Sequence, residues 1–361
     1  MATSALWRTK SIEQSIADTE APESRLRKNL TAWDLTVFGV AVTIGAGIFV
    51  FAAQEAGDTA GPAVSLSFLL AAVACGFAVL CYAELASTVP VAGSAYTYSY
   101  ATFGELIAWI IGWDLILEFS MGGAVLAKAW SQYLADATGG AITPSVQVAG
   151  VTVDWAALLV VAVLTVVLAI GIKLSSVVSQ VITVIKIGVV LLVIGAGATY
   201  INVDNYTPYI PPAQQAPSSS GLEQSLFSLL TGSEGTTYGL FGMLAAASVV
   251  FFAFIGFDVV ATTAEETRNP QRDLPRGVIG SLAIVTVLYV AVALVITGMQ
   301  PNTALASSGG GETATLATAF DNVGLDWIAR IIALGALAGL TTVAMILMLG
   351  QIRVLFAMSR D

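Results

Sequence analysis

Apolar runs long enough to cross a bilayer recur from residue 36 onward, separated by short clusters rich in Pro, Gly and Ser. They fall in about eight windows: 36–56, 62–86, 104–134, 154–172, 176–199, 239–266, 276–299 and 326–357. A segment inside a bilayer must satisfy its backbone polar groups internally, so runs of about 20 apolar residues predict helices. The predicted fold is therefore an all-α membrane protein. Residues 1–35 lack such a run and read as a tail, and 200–238 reads as a loop with a short amphipathic piece at Leu222 to Leu230.

Composition agrees with the pattern. Of 361 residues, 57% are apolar and 11% charged, where a soluble domain carries roughly 25% charged residues. With no His, two Cys and a net charge of −10, the chain lacks zinc and thiol-catalysis patterns and the basic patches of a nucleic-acid binder. Cys75 and Cys81 lie six apart in one window, about 9 Å along a helix and too far for a disulfide. No enzymatic chemistry, metal or cofactor is expected.

Charge also sets the expected orientation, because Lys and Arg stay on the cytoplasmic side. Placing the tail in the cytoplasm puts eleven of the 14 basic residues there, among them Arg8, Lys10, Lys173, Arg268, Arg272, Arg276 and Arg353. Segments 200–238 and 300–325 contain no basic residue. The amino terminus is expected to be cytoplasmic and the protein to sit in the plasma membrane.

Two windows carry small residues at mid-span. The first reads Val42, Thr43, Ile44, Gly45, Ala46, Gly47, Ile48, Phe49, and the sixth reads Phe252, Ala253, Phe254, Ile255, Gly256, Phe257, Asp258. Glycine in a membrane helix often serves close packing alone. Interruptions in the first and sixth segments, however, imply two five-helix halves whose unwound backbone faces a ligand. An α-amino acid suits such a site: its carboxylate meets the amides of the half-helix starting near Gly47, and its ammonium meets the carbonyls freed ahead of each break.

Ionisable residues inside the windows are the remaining candidates. Lys186 lies about ten residues from either end of its window, too deep to reach a headgroup easily. Desolvation eases proton exchange on a buried ammonium, which makes Lys186 a candidate proton carrier, against the alternative of a lysine paired with a carboxylate for packing. Asp114 and Glu118 share a helical face; Glu118 is a candidate for the pocket or for gating, as is Asp258, with a helix-to-helix hydrogen bond as the plainer role. Thr341 and Thr342 either bond back to their own helix or face Lys186.

Several stretches together resemble the amino acid/polyamine/organocation (APC) superfamily of transporters, most closely its cationic amino acid transporter branch. They are GAGIF (Gly45 to Phe49), CYAEL (Cys81 to Leu85), PVAGSAYTYSY (Pro90 to Tyr100) and GWDLILE (Gly112 to Glu118). FAFIGFD (Phe252 to Asp258), EETRNPQRDLP (Glu265 to Pro275) and the run from Gly339 to Asp361 follow in the family's order. The resemblance implies a leucine-transporter-type fold with 5+5 inverted repeats: 36–199 as the first repeat and 239–361 as a second, incomplete one holding helices six to eight. It implies substrate contacts at Thr43, Ile44, Gly45, Ala46, Gly47, Phe252, Ala253, Phe254, Ile255 and Gly256, with Phe252 closing the pocket. It also implies proton coupling at Lys186, with Thr341 and Thr342 bordering the place where sodium-coupled relatives hold an ion.

The expected function is a proton-coupled amino acid symporter. Alternatives are an amino acid or polyamine exchanger without proton coupling, and a non-transporting amino acid sensor. The expected partners are an amino acid, protons and the lipid bilayer, with no nucleic acid.

Overall fold

The computed structural model describes residues 8–9, 29–88, 94–148, 151–171, 176–215, 236–261, 263–306 and 314–360. Most of the tail and the 222–230 piece lie outside these residues. A capping box starts the first helix, α1 (Ala32–Thr43): the Thr31 amide donates to the Asp34 carboxylate at 2.9 Å, and the Asp34 amide donates back to the Thr31 hydroxyl. At Ile44 the backbone turns extended (φ −69°, ψ 96°) and α1 ends. Helix resumes as a π-helical turn Gly47–Phe51, then α2 (Ala52–Glu55) and a second π-helical turn Ala56–Ala60. At Gly61 the backbone leaves helical geometry (φ +63°), which separates this first broken helix from α3 (Val64–Thr88).

Four helices follow: α4 (Ser94–Thr102), α5 (Glu105–Ala137), α6 (Trp155–Ala169) and α7 (Ser176–Gly197). A hairpin of β1 (Ser145–Val148) and β2 (Val151–Asp154), antiparallel with Ser145 opposite Asp154, joins α5 to α6. A shorter pair, β3 (Gln214–Gln215) with β4 (Thr236–Thr237), precedes α8 (Gly239–Phe251). After α8 come a single 3-10 turn, Phe252–Phe254, extended backbone at Ile255 (φ −56°, ψ 137°), and α9 (Phe257–Ala261). The rest is α10 (Pro270–Met299), the short α11 (Asn302–Leu305) and α12 (Leu316–Asp321), and α13 (Asp326–Arg360).

Among the described residues five helical runs are long and apolar enough to cross a membrane, and three shorter apolar helices accompany them: 32–43, 155–169 and 239–254. Together they fall on the predicted windows, with the first window, 36–56, divided between the 32–43 helix and the 47–86 run that also covers the second. The short ones are short for a local reason: two of the three end at a break. α4, the hairpin, α11 and α12 fall between windows and carry no membrane-length apolar signal.

Packing concentrates α5 against α13, and α10 against α3 and α1, while α8 packs on α3. Large apolar side chains also point outward, Val184 at 70% and Phe241 at 75% exposure. An outer surface of that kind suits lipid, where exposed methyl groups carry no hydration penalty. The chain is a multi-pass, mostly helical membrane protein.

Candidate functional site

The two breaks meet. A Cβ added at Gly47 would collide with Ala253, so the start of the second half of the first helix rests directly on the 3-10 turn of the sixth window. Gly256 adopts φ +127°, open to glycine but strained for other residues, and a Cβ there would lie 2.8 Å from Val42. Ile44, Gly45, Gly47, Ala253, Phe254 and Gly256 are buried, as are Thr43 and Ala46, while Ile255 is half-buried.

A helix leaves its last carbonyls and first amides without intrahelical partners. At the end of α1, Lys186 of α7 takes up two of those carbonyls: its ammonium donates to the Ala41 oxygen and, at 3.3 Å, to the Ile44 oxygen. This is a cation at the negative end of a helix dipole. Lys186 is 2% exposed, and its partners are backbone carbonyls rather than a carboxylate. Its stem passes over Gly339 of α13, where a Cβ would lie 2.6 Å from the lysine Cδ. At the other side of the break, Phe49 donates its amide to the Gly45 oxygen at 3.3 Å. The amides of Ala46, Gly47 and Ile48 therefore stand ahead of the resumed ladder.

Two tyrosines that sequence reasoning did not single out complete the frame. The Tyr289 hydroxyl on α10 stands 2.7 Å from the Thr43 oxygen and 3.0 Å from the Ala253 oxygen, bridging both breaks with one proton. Its ring packs on Phe68 and Phe254, with centroids 5.5 and 5.2 Å away. Tyr133 on α5 donates to the Phe49 oxygen and accepts from the Leu316 amide at 3.1 Å, tying the resumed helix to the start of α12. A signal existed: a phenol in an apolar membrane run needs a polar partner. The sequence does not say which one.

The other candidates are dispersed. Thr43 bonds back to the Gly39 oxygen. Thr341 donates to the Leu337 oxygen and accepts from the Trp130 indole at 3.0 Å, and Thr342 donates to the Gly339 oxygen. Both hydroxyls therefore take the back-bonding role, one helical turn from the Gly339 shelf under Lys186. Glu118 is half-buried and Asp114 exposed on α5. Leu126 of the same helix packs at Gly45, so Glu118 stands about 12 Å from the break along the axis. Phe252 is 45% exposed, turned away from the buried side of its turn. The side chain of Asp258 lies outside the described residues. Among the described residues no cluster of His, Cys, Asp or Glu has the makings of a metal centre.

The arrangement offers positively polarised amides and negatively polarised carbonyls within one water-poor crossing, the complement of a small zwitterion. Comparison with known proteins bears on that. The family model for amino acid permeases matches residues 30–361. The chain is 40% identical to the branched-chain amino acid permease BcaP of Bacillus subtilis (strain 168) over 99% of its own length and 72% of that protein. It is 38% identical to the methylthioribose transporter of the same organism, with the same coverage. To the vacuolar cationic amino acid transporter 4 of Arabidopsis thaliana it is 36% identical over 93% of this chain, which spans about half of that relative, 53%.

Proposed function

The chain belongs to the amino acid permease family of the APC superfamily and is a transporter rather than an enzyme, and on that premise we propose that it is a proton-coupled symporter of an α-amino acid. The single observation that carries the coupling is the Lys186 ammonium on the Ala41 and Ile44 carbonyls. Protonated, it holds the end of α1. Without the proton the amine keeps two N–H donors but loses its charge, so each bond drops from the charge-assisted range of about 1.5–3 kcal/mol to about 0.5–1.5 kcal/mol. That cost loosens α1 where the substrate's ammonium would dock, so proton and substrate bias one hinge.

The rest of the reading follows from the same frame. The breaks at Ile44 and Ile255 are the discontinuous helices of a leucine-transporter-type fold with inverted repeats, in a plasma-membrane protein with its amino terminus in the cytoplasm. The substrate carboxylate meets the Ala46 to Ile48 amides. The neighbouring wall of Phe68, Phe254 and Tyr289 is aromatic, which favours an apolar substrate side chain. The relative named for branched-chain amino acids supports the same choice.

Proteoliposomes holding the full-length protein test it. An inward proton gradient should drive accumulation of leucine, isoleucine or valine, and Lys186→Met should abolish the pH dependence of uptake while keeping residual binding. In a thermal-shift screen of the twenty amino acids, the branched apolar ones should stabilise most. Equal accumulation with and without the gradient, together with counterflow, would replace symport by exchange. Stabilisation by arginine and lysine alone would overturn the side-chain assignment.

A further inference from the structure

A second carboxyl group is buried in the first broken helix, outside the site just described. Glu55 ends α2, two helical turns beyond Gly47, and is 5% exposed. One of its oxygens interacts with the Thr59 hydroxyl, and Oε2 has no hydrogen-bond partner. The elements packed against α2 are the flanking π-helical turns, α8, α10 and α12. Their titratable groups on this side are Asp58, Tyr289 and Asp321, with Tyr238 just ahead of α8, and none is a cation. The basic residues of α10, Arg272 and Arg276, stand toward its opposite end, Arg276 about 20 Å from Tyr289 along the axis.

The segment that carries Glu55 is clamped. The backbone at Gly57 lies against Leu305 of α11 so closely that no Cβ fits between them. Tyr238 donates its hydroxyl to the Gly57 oxygen and its amide to the Thr59 oxygen, the latter at 2.7 Å. These contacts hold the 47–60 stretch under α8 and α11 and keep Glu55 from water.

Among the described residues an ionised carboxylate in such a place has neither a counter-ion nor solvent, and its charge is costly unless a proton removes it. We infer that Glu55 is a second proton-binding site, neutral while the 47–60 segment is clamped and ionised when that segment moves clear. The proton sits on Oε2, leaves to water on the α11 side when the clamp opens, and returns from that water before it closes. Its location on a moving half-helix rests on the transporter reading. The protonation itself does not, and neither does it involve Lys186.

The test uses the full-length protein in lipid nanodiscs. Infrared difference spectra across a pH titration should show a carboxylic C=O band that persists well above the ordinary glutamate range of about 4.3, and Glu55→Gln should delete it. Hydrogen exchange across 47–60, corrected for intrinsic rates, should speed up by about tenfold between about pH 6 and about pH 9 in the wild type, the size of a one-unit linkage. In Glu55→Gln, which mimics the neutral acid, it should stay slow. The inference fails if the band survives in the variant, if Glu55 is ionised near neutral pH, or if both proteins exchange alike. It also fails if Glu55→Gln does not fold while Glu55→Asp does, or if sodium ions or arginine shift the Glu55 carboxylate bands, because the carboxylate would then be the native form. Loss of proton-driven uptake in Lys186→Met leaves these outcomes untouched, so the two claims fail separately.

Discussion

Replacing Tyr289 by Phe removes one oxygen from the centre of the molecule and almost nothing else. The ring keeps its contacts with Phe68 and Phe254, so the change in packing is small. What is lost is the donor between the Thr43 and Ala253 carbonyls at 2.7 and 3.0 Å, in a residue with no exposed surface. One hydroxyl proton serves one acceptor at a time, so the loss is one hydrogen bond and one buried carbonyl left unpaired, about 1–3 kcal/mol. Tyr206→Phe is the control, because its hydroxyl donates to a single carbonyl, Leu294, from a half-buried position. There water can replace the donor and the cost should be about 1 kcal/mol or less. Reversible denaturation in mixed detergent micelles measures both. The bridge also sets the spacing of the two breaks, so substrate affinity should fall in Tyr289→Phe by about 5- to 150-fold, the same energy expressed as a binding ratio, and stay unchanged in Tyr206→Phe. Equal stability loss in the two variants, with substrate affinity intact, would refute the bridging role.

Gly339→Ala tests the shelf beneath Lys186: the new methyl would stand 2.6 Å from the lysine Cδ, so the stem must shift and the ammonium loses its hold on Ala41 and Ile44. Overpacking of this kind costs about 1–3 kcal/mol, and the pH profile of uptake should move with it; an unchanged profile would mean that the stem is free to yield. Asp154→Ala removes the N-cap of α6, where the carboxylate accepts from the Ala157 amide at 3.0 Å, the Ser131 hydroxyl at 2.7 Å and the Lys128 ammonium at 2.8 Å; the expected loss is about 1 kcal/mol at neutral pH. Burial alone would raise the Asp154 carboxyl, but those three donors outweigh it and hold it below the usual carboxylate range. Its contribution is therefore complete above about pH 4 and is lost as pH falls through the lowered value. The stability gap between wild type and Asp154→Ala should close in acid, and a gap that widened there would contradict the assignment.

Much of the frame was legible because the membrane makes it a local matter. Apolar length locates the long helices, and a glycine cluster at mid-span marks where the backbone leaves the helix, as it does at Ile44 and Ile255. The depth of Lys186 was equally readable from its distance to both window ends. The partners were not. Thr341 and Thr342 donate to carbonyls of their own helix, one of the two roles the sequence leaves open for them. Glu118 sits on the right helix but about two turns from the break. Tyr289, Tyr133 and Glu55 were not singled out from the sequence.

The difference has a physical cause. A soluble helix shows its buried face as an apolar stripe, but a membrane helix is apolar all round, so periodicity does not say which side meets protein and which meets lipid. The sequence by itself located the apolar helical segments and the two interruptions, since each depends on backbone hydrogen bonding or on distance along one helix. Which carbonyls Lys186 reaches, which tyrosine joins the two breaks and what seals Glu55 from water depend on contacts between helices far apart in the chain, and only the tertiary structure decided them.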